Sequence, residues 1–233
     1  MPADDVARVR AHYADRHALY AARFSFDRPE VRWAWSRFTA EFAPQIDLAL
    51  RRAAVDLGRA RILDLGCGSG RVLRWLMGRG IPSARLLGAD LIMPRLAQAR
   101  RLAPAIGLAM ADGVCLPCRD GAFDVALALT TLSSMPSEPM RRGAAAELLR
   151  VVRPGGAVIC YEFSHKNPLN RYTVAVGAAA LRALFPGAEV ACRRVTLHPM
   201  VLRALFGLGP RVLAALERID ALRSHVLAVI TRR

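Results

Sequence analysis

Four residues spaced two apart, Asp64, Gly66, Gly68 and Gly70, close the segment Arg61-Ile62-Leu63-Asp64-Leu65-Gly66-Cys67-Gly68-Ser69-Gly70. An acid followed by alternate glycines can cradle a nucleotide-like ligand. Glycine adopts positive φ and lets a ligand approach the backbone without meeting a Cβ. The N–H groups of a helix opening at Arg71 would point at the same ligand. Dinucleotide chemistry is disfavoured, because G-x-G-x-x-G needs a third glycine where this chain has Arg71. Asp64 would be awkward beside a pyrophosphate and suits a ligand that carries an ammonium and a sulfonium.

Two further acids fit an adenosine. Asp90 follows Gly70 by about 20 residues, the length of one helix and a return along a parallel strand. A carboxylate there can accept two ribose hydroxyl protons. Asp112 can accept from an exocyclic amine, with Gly113 leaving room for a flat base. Each acid alone reads equally well as a helix cap. Together with the glycine turn they favour adenosine.

Asp64-x-Gly66-x-Gly68-x-Gly70 resembles motif I of the class I, Rossmann-like S-adenosylmethionine-dependent methyltransferases. Downstream segments agree in order: Leu86 to Asp90 resembles the second strand, Ala109 to Gly113 the third, Leu116 to Val125 the approach to the fourth, and Leu149 to Gly156 the turn before the fifth. The match covers roughly residues 60 to 163. The resemblance implies S-adenosylmethionine as cofactor, held by Asp64, Gly66, Cys67, Gly68, Gly70, Asp90, Leu91, Asp112, Gly113 and Thr130. It implies methyl transfer to a small-molecule acceptor, foremost an oxygen of a natural product, sugar or glycolipid. An RNA methyltransferase and a catalytically silent partner protein keeping the fold are the alternatives; no N/D-P-P-Y/F tetrapeptide supports the former.

Acceptor chemistry is expected after the fifth strand, Ala157 to Phe163, because ligands of a parallel sheet sit beyond the carboxyl ends of its strands. Glu162 and His165 are the nearby side chains able to take a proton near neutral pH. Asn167 and Asn170 could fix a hydroxyl or carbonyl, or else make a turn and a helix cap. Tyr13 and Tyr20, seven apart on an early helix, could line the mouth of the site or simply pack a surface helix.

Composition narrows the rest. The chain has 233 residues and a formal charge of +15, with Lys166 the single lysine among 34 basic residues. The excess is spread along the chain with a modest bias to the C-terminal segment, and no basic run interleaves aromatics, which disfavours nucleic acid. The longest stretch without a charge, Val125 to Ser137, falls short of the roughly 20 apolar residues a membrane span needs. The start, Met1-Pro2-Ala3-Asp4-Asp5, lacks a secretory pattern, so a cytoplasmic protein is the expectation. Cys115-x-x-Cys118 has no second pair beside it, so no metal site is expected.

These groups must be positioned by an α/β, doubly wound, mostly parallel seven-stranded sheet with an antiparallel last strand. Residues 1–57 read as an N-terminal helical cap on a domain of residues 58–233. In the cap, Val31, Trp35, Phe38, Phe42, Ile46, Ala49 and Ala53 form one apolar helical face. A helix is expected from Tyr172 to Leu184, and the last two strands at Glu189 to His198 and His225 to Thr231. Between them lies a helical insertion at about 199–223, in which Val212, Leu213, Leu216, Ile219 and Leu222 suggest one amphipathic helix. A lid, a homodimer surface and a peripheral membrane contact all fit that insertion.

Overall fold

The computed structural model describes residues 3–15, 22, 25–165 and 173–233. Its centre is a seven-stranded sheet: β1 (Ile62–Leu65), β2 (Leu86–Asp90), β3 (Gly107–Met110), β4 (Phe123–Leu129), β5 (Val152–Phe163), β6 (Glu189–Leu197) and β7 (Arg223–Thr231). The spatial order is β3-β2-β1-β4-β5-β7-β6. Neighbours from β3 through β5 pair in parallel, whereas β7 runs antiparallel to both β5 and β6. This is the expected seven-stranded arrangement.

Central strands read as continuous apolar runs because helices cover both faces. All four residues of β1 are buried. Ile62 and Leu63 point to opposite sides of the sheet and join different cores. On the Ile62 side lie α2 (Pro29–Arg52), α3 (Arg71–Gly78) and α4 (Met93–Leu102), following α1 (Ala3–Asp15) in the chain. Phe42, Ile46 and Ala49 of α2 are fully buried there, so the predicted stripe is core packing against the sheet. On the Leu63 side lie α5 (Glu138–Val151) and α6 (Ala178–Leu184), through Met140, Ala144, Leu148 and Leu181.

Much of the arginine excess holds the frame. Asp124 accepts the Arg61 N–H at 2.8 Å and the Arg153 Nε–H at 2.7 Å, fastening the start of β4 to the chain entering β1 and to β5. Arg232 donates to the carbonyls of Leu149, Arg150 and Val152, closing the end of α5.

Three segments differ from expectation. Residues 173–177 are not helical and are tied by Val174 N–H to Ser133 O at 2.9 Å and Val176 N–H to Phe163 O at 2.8 Å, so the helix starts at Ala178. The last strand starts two residues early, at Arg223. The insertion forms two short helices, α7 (Pro199–Leu205) and α8 (Pro210–Leu216), because Gly209 at φ 86° followed by Pro210 interrupts one continuous helix. Leu202 and Leu213 bury against Leu197, with Trp33 of α2 packed on them.

Candidate active site

The glycine turn joins β1 to α3 and is tied sideways to β2. Gly66 and Cys67 donate their N–H groups to Ala89 O at 2.7 and 3.1 Å. Gly66 has φ +76°, and a Cβ there would lie 2.3 Å from Thr131 Oγ1, so only glycine fits. Gly68 has φ +54°, and no atom stands within 4 Å of where a Cβ would lie, leaving its backbone open for a ligand. Asp90 Oδ2 accepts the Gly68 N–H at 2.8 Å and Oδ1 accepts the Ile92 N–H at 2.8 Å. Burial raises the Asp90 carboxyl above its ordinary range, against the pull of Arg95 and these N–H groups.

Asp64 lies behind the turn, 2 % exposed, with no hydrogen-bond donor among the described residues. Burial, and secondarily the Asp90 charge, push its carboxyl up to about 8. Asp112 takes the N–H groups of Val114 and Cys115 on Oδ1 at 3.1 and 3.2 Å, which leaves Oδ2 for an amine. The sequence expectation of a cap and that of an adenine contact are therefore compatible in one side chain.

A cavity of about 780 Å³ runs past this turn. Of the residues singled out in the sequence, Gly66, Cys67, Gly68, Asp90, Leu91, Asp112, Thr130, Tyr13 and His165 line it. Asp64, Gly70, Gly113 and Glu162 are not among its lining residues. Tyr20, Asn167 and Asn170 lie outside the described residues. Tyr13 donates to Ser134 Oγ at 2.9 Å, and Arg95 lies 4.9 Å over its ring, so α1 covers the cavity through this residue. Thr130 holds φ 57°, a left-handed backbone uncommon for a β-branched residue, with its N–H donated to Tyr161 O.

Glu162, a candidate proton acceptor by its chemistry, does not line the cavity. It is fully buried, and its oxygens accept the N–H groups of Thr131, Leu132 and Ser133 at 3.1, 2.9 and 2.9 Å. Burial pushes its carboxyl up to about 7 in spite of those donors. Thr131, so held, donates its hydroxyl to Leu65 O at 2.8 Å and packs against Gly66, so Glu162 buttresses the glycine turn from the far side of the sheet. Strand alternation is the physical reason: Tyr161 and Phe163 face the cavity, and the residue between them faces away.

His165 lines the cavity with both ring nitrogens engaged. Nδ1 meets Ser164 Oγ at 2.9 Å, Ser164 donates to Ser224 O at 3.0 Å, and Arg194 Nη2 reaches His165 Nε2 at 3.0 Å. Arginine can only donate, so Nε2 accepts here and Nδ1 faces the Ser164 hydroxyl.

Sequence reasoning missed the other wall of this end, formed by Tyr161, Thr196, His198 and His225. Tyr161 donates to Thr196 Oγ1 at 2.8 Å, and its ring stacks on His225 at 4.4 Å and 11°. Burial, then the nearby His198 and His165, press the His225 imidazole down to about 3, which keeps it neutral. His198 caps α7, its Nδ1 accepting the Met200 N–H at 3.2 Å.

Residues 63–160 match a family model described as "Methyltransferase domain". Among curated proteins, a demethylmenaquinone methyltransferase from Thermus thermophilus is 42% identical over 125 residues, 50% of this chain and 55% of that protein. The chain thus spans about half the length of the curated relatives it matches. Among solved structures, the [4+2]-cyclase SpnF is 26% identical, with a TM-score of 0.58 over 80% of this chain and 79% of that one. The magnesium protoporphyrin IX methyltransferase ChlM from Synechocystis PCC 6803, solved with bound SAM, has a TM-score of 0.65 at 15% identity over 97% of both chains. That likeness reports the fold. The methyltransferase-domain match over residues 63–160, the strand order and the acid-flanked glycine turn are what this chain shares with the class I, Rossmann-like S-adenosylmethionine-dependent methyltransferases.

Proposed function

We propose that this chain transfers the methyl group of S-adenosylmethionine to a small-molecule acceptor, at an oxygen of a natural product, sugar or glycolipid. The observation that carries the reading is a single cavity joining the glycine turn, Asp90 and Asp112 to a second end walled by Tyr161, His198 and His225. One end suits an adenosine and the other a second reactant, which is what a direct transfer needs.

The residues fit the cofactor on their own chemistry. Asp64 is a buried carboxyl without a donor among the described residues, suited to the field of an ammonium or sulfonium. Gly68 leaves open space where a side chain would stand. Asp90 retains lone pairs for ribose hydroxyls beyond its two backbone bonds. When bound, the cofactor supplies a methyl on a positively charged sulfur, already activated for in-line displacement. The protein's part is then to bring reactants to about 3 Å and align them, with water excluded.

A hydroxyl acceptor must also shed a proton. His225 is neutral, and with Nδ1 at Ser224 Oγ its Nε2 is left for the acceptor hydroxyl, whereas His165 has both nitrogens engaged. His225 can orient that hydroxyl through a hydrogen bond accepted at Nε2, and because its basicity is pressed down to about 3 the proton leaves for bulk water rather than resting on the ring.

Incubation with S-adenosylmethionine and a panel of phenols, quinols and sugars tests this. Equal amounts of demethylated cofactor and an O-methylated product are expected. Cofactor binding without turnover on any acceptor would favour the catalytically silent reading, and a C-methylated product would correct the acceptor atom.

A further inference from the structure

The insertion carries a second surface that the methyl-transfer site does not use. Backbone bonds continue α8 to Ile219 through Glu217 N–H to Leu213 O, Arg218 N–H to Ala215 O and Ile219 N–H to Leu216 O. Three- and four-residue steps put Arg211, Val212, Ala215, Arg218 and Ile219 on one face. That face is solvent-exposed, with Val212 at 40% and Ile219 at 49%, while Leu213 is buried and Leu216 packs with it on the opposite side. Leu208, at 58%, stands immediately before it.

Its charge is one-sided. The two acids of the segment are matched elsewhere: Glu217 is buried against Arg37 Nε at 2.7 Å, and Asp220 pairs with Arg223 at 2.9 Å. Arg211 and Arg218 have no carboxylate within salt-bridge distance among the described residues. The chain as a whole carries +15. Exposed aliphatic side chains flanked by arginines on a strongly basic protein suit a surface that is both anionic and apolar just beneath.

From this face we infer that the insertion docks the protein on an anionic phospholipid surface, with Leu208, Val212 and Ile219 entering the interface and Arg211 and Arg218 meeting lipid phosphates. A second copy of the chain is a poorer occupant. A two-fold contact sets the same patch against itself and would bring the arginines of the two copies onto one shared surface with no acid between them. Nucleic acid would pair with the arginines but leave the aliphatic groups in water. Docking here sets the cavity beside the lipid, because the adjoining α7 lines it through Pro199, Met200 and Arg203.

Co-sedimentation with phosphatidylcholine vesicles, with and without phosphatidylglycerol, tests the inference on the full chain. Binding is expected to the anionic vesicles and to fall with salt. Arg211→Gln and Arg218→Gln should each lower partitioning about fivefold. The double variant Val212→Glu/Ile219→Glu should lower it at least tenfold. None of these residues lines the cavity, so cofactor affinity and thermal midpoint should stay as in the wild type and certify the fold. Failure of the folded wild type to bind anionic vesicles, or binding untouched by these variants, overturns the inference. So does a wild-type dimer that Val212→Glu/Ile219→Glu converts to monomer, since the face would then belong to a second copy.

Discussion

Asp90 Oδ2 accepts the Gly68 N–H at 2.8 Å, so the acid that ends the second strand fastens the turn that opens the first helix of the sheet. The same carboxylate lines the cavity, and its structural and ligand roles are therefore linked. Asp90→Asn sets an NH₂ group against one of the two backbone N–H groups. Stability should fall by about 1–3 kcal/mol, and affinity for demethylated cofactor should fall at least tenfold. Denaturant unfolding and calorimetry measure the two; unchanged affinity in a folded variant would contradict the assignment.

Two glycines of the turn should respond differently to the same substitution. Gly66→Ala meets Thr131 Oγ1 at 2.3 Å and should destabilise the fold by about 2 kcal/mol or more. Gly68→Ala meets nothing within 4 Å and should cost only about 1 kcal/mol for its positive φ. Its loss should appear in cofactor affinity instead. Equal stability losses in the two variants would contradict this separation.

Asp64 gives a signed pH effect. Its folded carboxyl sits at about 8, mainly through burial and further through Asp90, whereas the unfolded chain releases this proton near 4. Between those values the native state binds more protons than the unfolded one, so the contribution of Asp64 to stability falls as pH rises. Asp64→Asn removes that contribution. The variant should gain on the wild type steadily from pH 4 to pH 8, by up to about 1.4 kcal/mol per unit. Parallel stability–pH curves would contradict the buried, donor-free carboxylate.

Glu162→Gln should act on folding more than on chemistry. One of the N–H groups of Thr131, Leu132 and Ser133 loses its acceptor, at a cost of about 1–3 kcal/mol. The thermal midpoint should drop while the pH–rate profile keeps its shape. Loss of the acidic limb in the variant would restore Glu162 to the chemistry.

The end of the cavity formed by the glycine turn was legible because it is local. Glycine spacing, the acid before it and an acid one helix-and-strand later are set within a few turns of chain, and Asp90 and Asp112 lie on the cavity as their spacing implied. The opposite end of the cavity is non-local. Tyr161, Thr196 and His225 meet only because β7 returns antiparallel between β5 and β6, pairing Val195 with His225 and Phe163 with His225. Nothing in the spacing of 161, 196 and 225 announces that contact. The place of Glu162 was readable: alternation along β5 sends it to the face opposite Tyr161 and Phe163, a signal already present in the sequence. The split of the insertion was likewise readable from Gly209-Pro210.

Isothermal titration of the wild-type chain with S-adenosylmethionine tests the central claim most directly. Saturable one-to-one binding at micromolar levels, weakened at least tenfold in Asp112→Asn, which keeps the Oδ1 turn and puts an NH₂ where the adenine amine would donate, is the predicted result. No binding by the folded wild type at millimolar cofactor would contradict it.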